Sequence, residues 1–303
     1  MFGNWLGRLR AGILAAAVGC VMAGPACACV GARPLAMGGA FVGVADDANA
    51  TYWNPAGLVR LRGTSVASMH TSANRDDINY QEYLAVGIPT GPSAAVGFSW
   101  IRYNLSLAGS GGGSGLFRAR QFGTGLTDQE DWYWLSLAYG IAPDTSVGVS
   151  MKYVSDSIPG LDTDMAVDVG VFHEMSSKWA FGLLVQDFNE PALRGAGAGE
   201  RLTWARNWRP GFSWRPRRGT ILSTEIYDAT DNADCRSLRI GYEKWIASKL
   251  ALRAGYYGIG AKANRALTFG IGLVTPKPPS TGLDVAVMIG DINTVLTSVT
   301  TKF

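Results

Sequence analysis

The chain has 303 residues, of which Lys and Arg supply 27 and Asp and Glu 24. A charged fraction of 17% lies well below the roughly 25% of soluble globular chains, so much of the surface faces something other than water. No segment past the N-terminus offers the ~18 consecutive apolar residues of a membrane-spanning helix. A net charge of +3 with scattered cations builds no phosphate-tracking patch, which excludes nucleic acid as a partner.

Residues 1–28 read as a secretory signal peptide. Arg8 and Arg10 supply the positive end, residues 11–23 the apolar stretch, and Ala26-Cys27-Ala28 the small-residue cleavage spacing; no acidic residue precedes Asp46. Cleavage after Ala28 removes two cations and leaves the mature chain almost neutral. Lipid attachment at Cys20, Cys27 or Cys29 is the alternative, although none of the three has leucine three positions upstream. The sequence leaves open whether Cys29 is lipidated or pairs with Cys235.

From Thr64 onward the dominant period is two, the mark of strands whose faces differ chemically. In residues 131–141, Tyr133, Leu135, Leu137, Tyr139 and Ile141 share one side, while Trp132, Trp134, Ser136, Ala138 and Gly140 share the other. Similar alternation runs through Val147 to Tyr153, Met165 to Val171, Leu250 to Tyr256 and Leu283 to Ile289. A soluble sandwich would show a densely charged second face. Here that face carries glycine, serine, alanine and isolated charges, which suits a wide barrel with lipid outside and a polar lumen inside.

The segments fall at 64–71, 80–89, 93–105, 131–141, 145–156, 163–173, 178–188, 201–214, 219–228, 236–245, 249–257, 264–274, 281–289 and 293–303, fourteen in all. Short connections (90–92, 142–144, 174–177, 215–218, 246–248) alternate with long ones (106–130, 189–200), as expected for periplasmic turns and external loops. The predicted fold is therefore an all-β, transmembrane, antiparallel up-and-down barrel over residues 64–303. Pro210-Gly211 interrupts the eighth segment, where proline lacks a donor and glycine admits a bulge. This predicts either a kink that opens a lateral gap or a bulge at the periplasmic end. The terminal alternation through Val299, Thr301 and Phe303 resembles the signal read by the machinery that inserts bacterial outer-membrane barrels.

Residues 29–63 do not alternate, and a fourteen-stranded barrel is wide enough to leak without an internal plug. Within this stretch the Met-Gly-Gly-Ala-Phe of 37–41, the Ala-Asp-Asp-Ala of 45–48 and the Trp-Asn-Pro-Ala-Gly-Leu of 53–58 resemble the N-terminal signature of PorV/PorQ-type proteins, within the broader FadL-like outer-membrane family. The resemblance is close over residues 31–58 and elsewhere rests on architecture. It implies an N-terminal hatch in the lumen, with Asp46, Asp47, Asn54 and Pro55 matching the hatch signature as candidate gating or ligand-contact residues. It also implies one of two roles without catalysis: passage of a hydrophobic ligand through an apolar pocket with a lateral exit, or, as in PorV-type members, handling of an exported protein at the membrane. From the residues themselves, Asn before Pro makes a turn, and paired carboxylates accept backbone N–H groups or lumenal arginines.

No cofactor or metal is implied. His70 and His173 lack partners at zinc-site spacing and read as interfacial residues. Gly109 to Gly115 and Gly195 to Gly199 read as external loops rather than phosphate cradles. No G-x-S-x-G elbow accompanies a histidine, so hydrolase chemistry has no support.

Overall fold

The computed structural model describes residues 30–71, 78–106, 127–156, 165–193, 202–230, 236–262, 264–275, 278–291 and 293–303. The signal peptide, Cys29, Cys235 and the glycine-rich stretches at 109–115 and 195–199 lie outside the described residues. Seven strands come first: β1 (Ser65–Thr71), β2 (Ile78–Gly91), β3 (Ala94–Ser106), β4 (Thr127–Ala142), β5 (Thr145–Asp156), β6 (Ala166–His173) and β7 (Trp179–Gln186). Two short strands, β8 (Ala192–Leu193) and β9 (Leu202–Thr203), pair only with each other. Seven more follow: β10 (Asn207–Trp214), β11 (Thr220–Tyr227), β12 (Ser237–Ile246), β13 (Leu250–Ile259), β14 (Ala266–Val274), β15 (Ser280–Gly290) and β16 (Thr294–Lys302).

Apart from β8 and β9, the strands close one antiparallel barrel in sequence order, with β1 pairing β16 from Ser65↔Lys302 to His70↔Thr297. Closure removes the free edges an open sheet would have, so most of the strands' backbone polar groups find a neighbour within the wall. The fourteen strands agree with the sequence reading in number and order, and some ends shift: β4 begins at Thr127, inside the stretch 106–130 read as a connection. The eighth segment begins at Asn207 rather than Arg201, because Trp204 turns inward to stack on Trp132 and the chain joins the wall only beyond it.

Period two fixes which side is which. On β4, Leu135, Leu137, Tyr139 and Ile141 are exposed on the outside, and the alternate Trp132, Trp134, Ser136 and Ala138 are buried inside. Isoleucine, leucine, valine and phenylalanine form a similar exposed row on β12 to β16. An apolar outer band of this kind is what a bilayer covers. Trp179 and Trp214 stack at 5.4 Å on the outer face beside the short turns. Toward the long loops the outer face turns polar in register across four strands, His70↔Glu82↔Arg102↔Asp131.

The core is the lumen. Residues 30–61 form helix α1 (Ala32–Ala36), helix α2 (Ala50–Trp53), a 3-10 helix (Pro55–Arg60) and turns between them, almost all buried. α1 packs on β13 to β16, α2 on β2 to β4, and the 3-10 helix on β2 to β6. Met37 and Gly38 meet β12 and β13, Val42 and Gly43 meet β7 and β10, Phe41 bonds to β11 and Ala48 to β1, so the segment touches every strand of the barrel. The wall makes room with small residues. Glycine faces glycine at 87/97, 148/170, 182/211 and 241/255. A methyl added at Gly182 would stand 2.2 Å from the Val42 carbonyl oxygen, and one at Gly148 would stand 2.4 Å from the Ala56 nitrogen.

Candidate functional site

An internal segment with little regular helix carries many backbone groups that no ladder satisfies, so the wall must supply partners. Both Phe41 and Val42 donate their N–H to Oε2 of Glu225 on β11, at 3.1 Å. Thr268 accepts from Gly38 N and donates to the Ala36 carbonyl, and Ser146 donates to the Ala56 carbonyl. Asn54, a predicted site residue, is a bridge. Its Nδ2 donates to the carbonyls of Val42 within the segment and Val171 on β6, at 3.1 and 3.0 Å, while its Oδ1 accepts from Ala56 N. Pro55 opens the 3-10 helix, where its missing donor is no loss.

Asp46 and Asp47 sit together on one cation. Arg33, from α1, donates to Asp46 at 2.5 Å and Asp47 at 2.8 Å, and turns its Nε to Glu243 on β12 at 2.8 Å. Glu243 also receives Arg253 at 2.7 Å, and Arg253 reaches Asp284 at 2.6 Å. This chain of charges ties the segment to three strands. Burial opposes ionisation of Asp46, but the Arg33 charge, with Lys302 and Arg60 adding, prevails and holds its carboxyl well below the usual range. Asp47 also caps its own turn by accepting from Asn49 N at 2.9 Å.

On the long-loop side the lumen is floored with aromatics and cations. Tyr52 of α2 meets Trp134 edge-on at 5.7 Å, Trp134 leans on Trp132, and Trp132 stacks against Trp204 at 5.2 Å. Lys152 lies 4.7 Å from the Trp204 ring and is paired with Asp187, with Asp168 4.0 Å away. Arg209 is bonded to Glu225 at 2.6 Å and lies over Trp53, and Arg239 lies 4.2 Å from the rings of both Tyr227 and Tyr257. Asp46, Asp47, Asn54 and Pro55 do not reach this floor.

Sequence reasoning did not single out Glu225, Glu243, Arg209 or Arg253. The available signal was a long charged residue standing alone on a face otherwise made of small residues, where only a lumenal partner could stabilise it.

Pro210 and Gly211 fall on β10. Toward β7 the register runs unbroken from Asn207↔Gln186 to Trp214↔Trp179. Toward β11 the ladder is regular only from Gly211↔Glu225 to Trp214↔Leu222, breaks at the proline that has no N–H to give, and is rejoined beyond it where Ala229 N–H donates to the Trp208 carbonyl at 2.9 Å. Gly211 faces inward, where a Cβ would stand 3.0 Å from the Gly43 nitrogen.

Two cavities open at the short-turn end, both bordered by Asp46 and Lys302. One, of about 590 Å³, is lined by Arg60, Leu61, Ser146, Phe172 and Glu174. The other, of about 480 Å³, is lined by Arg33, Arg215, Arg217, Arg218, Trp245 and Arg253. His70 bonds to Glu82 at 2.7 Å and His173 to Thr145 at 2.9 Å, far apart on β1 and β6. Among the described residues no group of three or more His, Cys, Asp or Glu side chains is placed to hold a metal ion.

No family model and no curated protein matches the sequence. Solved structures do match the fold. The monoaromatic hydrocarbon channel CymD aligns with a TM-score of 0.61 and 13% identity, over 90% of this chain and 97% of that one. The toluene transporter TodX of P. putida aligns with a TM-score of 0.59 and 12% identity, over 90% and 98%. A FadL homologue of Pseudomonas aeruginosa gives 0.52 and 11%, over 88% and 94%. At these identities the likeness is one of fold, which the chain shares with these proteins over nearly their whole length.

Proposed function

We propose that the chain is a bacterial outer-membrane barrel of the FadL-like kind that binds or passes small hydrophobic molecules, of fatty-acid or hydrocarbon class, with residues 29–63 as its hatch. The short turns face the periplasm, Phe303 is read by the barrel-insertion machinery, and the outer band sits among outer-membrane lipids. The observation that carries the reading is the aromatic floor of Tyr52 from the internal segment, Trp134 and Trp132 from the wall and Trp204 from the connection before β10, inside an apolar-banded barrel. A ligand entering from the long-loop side meets stacked rings, and moving past them requires the hatch to yield. The wall beside Pro210, where the ladder toward β11 is interrupted between Gly211 and Trp208, is the lateral exit. The test is uptake of radiolabelled toluene and oleate by cells expressing the chain, with and without a disulfide between Cys replacements at Trp208 and Ala229, whose backbones meet just beyond Pro210, in a background with Cys29 and Cys235 changed to serine. Uptake that the disulfide blocks and a reductant restores supports the reading; unchanged uptake refutes the lateral exit.

A second reading, a PorV-type component of protein secretion or cell-surface attachment, is favoured by the tight filling at the level of the segment, where Trp53, Trp134, Arg209 and Lys152 are all but inaccessible.

A further inference from the structure

The cations at the short-turn end are not balanced as those deeper in the lumen are. Arg33 and Arg253 are committed to carboxylates. Arg217 and Arg218, exposed on the turn between β10 and β11, have no ion pair among the described residues, and the buried Nη2 of Arg215 has no partner. Burial, and then the Arg60 and Arg33 charges, push the Arg215 guanidinium below its ordinary value, although Asp46 and Glu174 oppose them. All three arginines border the 480 Å³ cavity, together with Trp245 and Lys302, and the cavity's carboxylates, Asp46, Asp47, Glu243 and Asp284, are already paired with Arg33 and Arg253.

We propose that this cavity is a docking site for an acidic peptide segment of a periplasmic protein, an inference that rests on the short-turn end facing the periplasm. The deep wall already shows the geometry such a segment would meet, since Arg253 receives one carboxylate on Nε and another on Nη1 at 2.7 and 2.6 Å. Arg217 and Arg218 offer the same forked donors with no carboxylate on them among the described residues, and Arg215, whose Nη1 is taken by Ser213, offers its Nη2. Trp245, Ile221 and Val274 give the segment's side-chain stems an apolar surface. The volume takes a few residues and not a folded domain. A phospholipid headgroup is the weaker occupant. The cavity opens into the lumen mouth, while the bilayer covers the opposite face of the same strands, where Leu222, Ile246 and Leu283 point outward.

The experiment uses the full chain in phosphatidylcholine nanodiscs, with dye-labelled hexaglutamate as probe and fluorescence anisotropy as readout. Hexaglutamate is expected to bind at low salt and to weaken as NaCl rises. Affinity should fall at least 10-fold in R217E/R218E and by a smaller factor in R217Q/R218Q. It should change less than 2-fold in K178E/K249E, which reverses two cations of the same end that do not border this cavity. Equal losses in the two charge-reversal variants would overturn the proposal in favour of a diffuse field. Displacement of the probe by phosphatidylglycerol in the nanodisc, with no effect of R217E/R218E, would overturn it in favour of lipid. Hydrophobic cargo is absent from the assay, so a failure of the transport reading leaves these outcomes unchanged.

Discussion

Arg33 is the charge on which the internal segment's attachment turns. In an Arg33→Met variant the side-chain stem still packs beside Phe41, over whose ring the guanidinium now lies at 5.2 Å, but Asp46 and Asp47 lose their shared cation. Glu243 keeps Arg253 and the Trp245 indole N–H, at 2.7 and 3.0 Å, so its burial stays compensated. Breaking a buried pair costs about 3–5 kcal/mol. Asp46 retains 26% of its side-chain exposure, and water recovers part of that cost, leaving about 2–3 kcal/mol. At ~1.4 kcal/mol per decade this is roughly a 30- to 150-fold rise in the population with the segment detached. Hydrogen–deuterium exchange in nanodiscs should show residues 30–61 losing protection by that factor while β2 to β5 hold theirs. Adding Asp46→Asn and Asp47→Asn to the same chain should recover much of the loss, because removing the anions relieves the uncompensated charge. Unchanged protection of the segment, or a uniform loss across barrel and segment, would refute the reasoning.

Further expectations follow from the same geometry. Gly182→Val should lower the thermal midpoint through overpacking of about 1–3 kcal/mol, since its methyls meet backbone and not a movable side chain, while Gly91→Ala, with nothing within 4 Å, should leave it unchanged. Trp204→Ala should expose the Lys152 amine, so that acetylation followed by mass spectrometry labels Lys152 in the variant and not in the parent. The stability that ionised Asp46 contributes should be complete above its unfolded value near pH ~3.9 and lost as pH falls through its depressed folded value. The melting difference between the parent and Asp46→Asn is therefore constant from about pH 8 to 5 and shrinks only below about pH 4.

The barrel was legible because its outer face has one requirement, to be apolar at every second residue, and Leu135, Leu137, Tyr139 and Ile141 meet it without help from distant sequence. The inner face was only partly legible. Its glycines announce that something must fit inside, and the pairing of Gly182 with Gly211 gives that expectation a place. The partners of its charges cannot be found by pattern, since Arg33 and Glu243 stand 210 positions apart and meet only once the barrel has closed. Asn54 reads locally as a turn former before proline, and its second hydrogen bond, to Val171, exists only through the wall. Trp132 and Trp134 fall on the small-residue face by simple alternation, yet the stacking of Trp132 on Trp204 depends on the connection between β7 and β10 folding inward. Single charges and aromatics on an otherwise small-residue face are the transferable signal of a filled lumen.

The most direct measurement is mass spectrometry of the full chain purified in a mild detergent, scoring small molecules and proteins that accompany it. Stoichiometric apolar small molecules, lost in Trp132→Ala, are the expected result. A stoichiometric secreted protein with no bound small molecule would contradict hydrophobic-compound passage and favour the secretion reading.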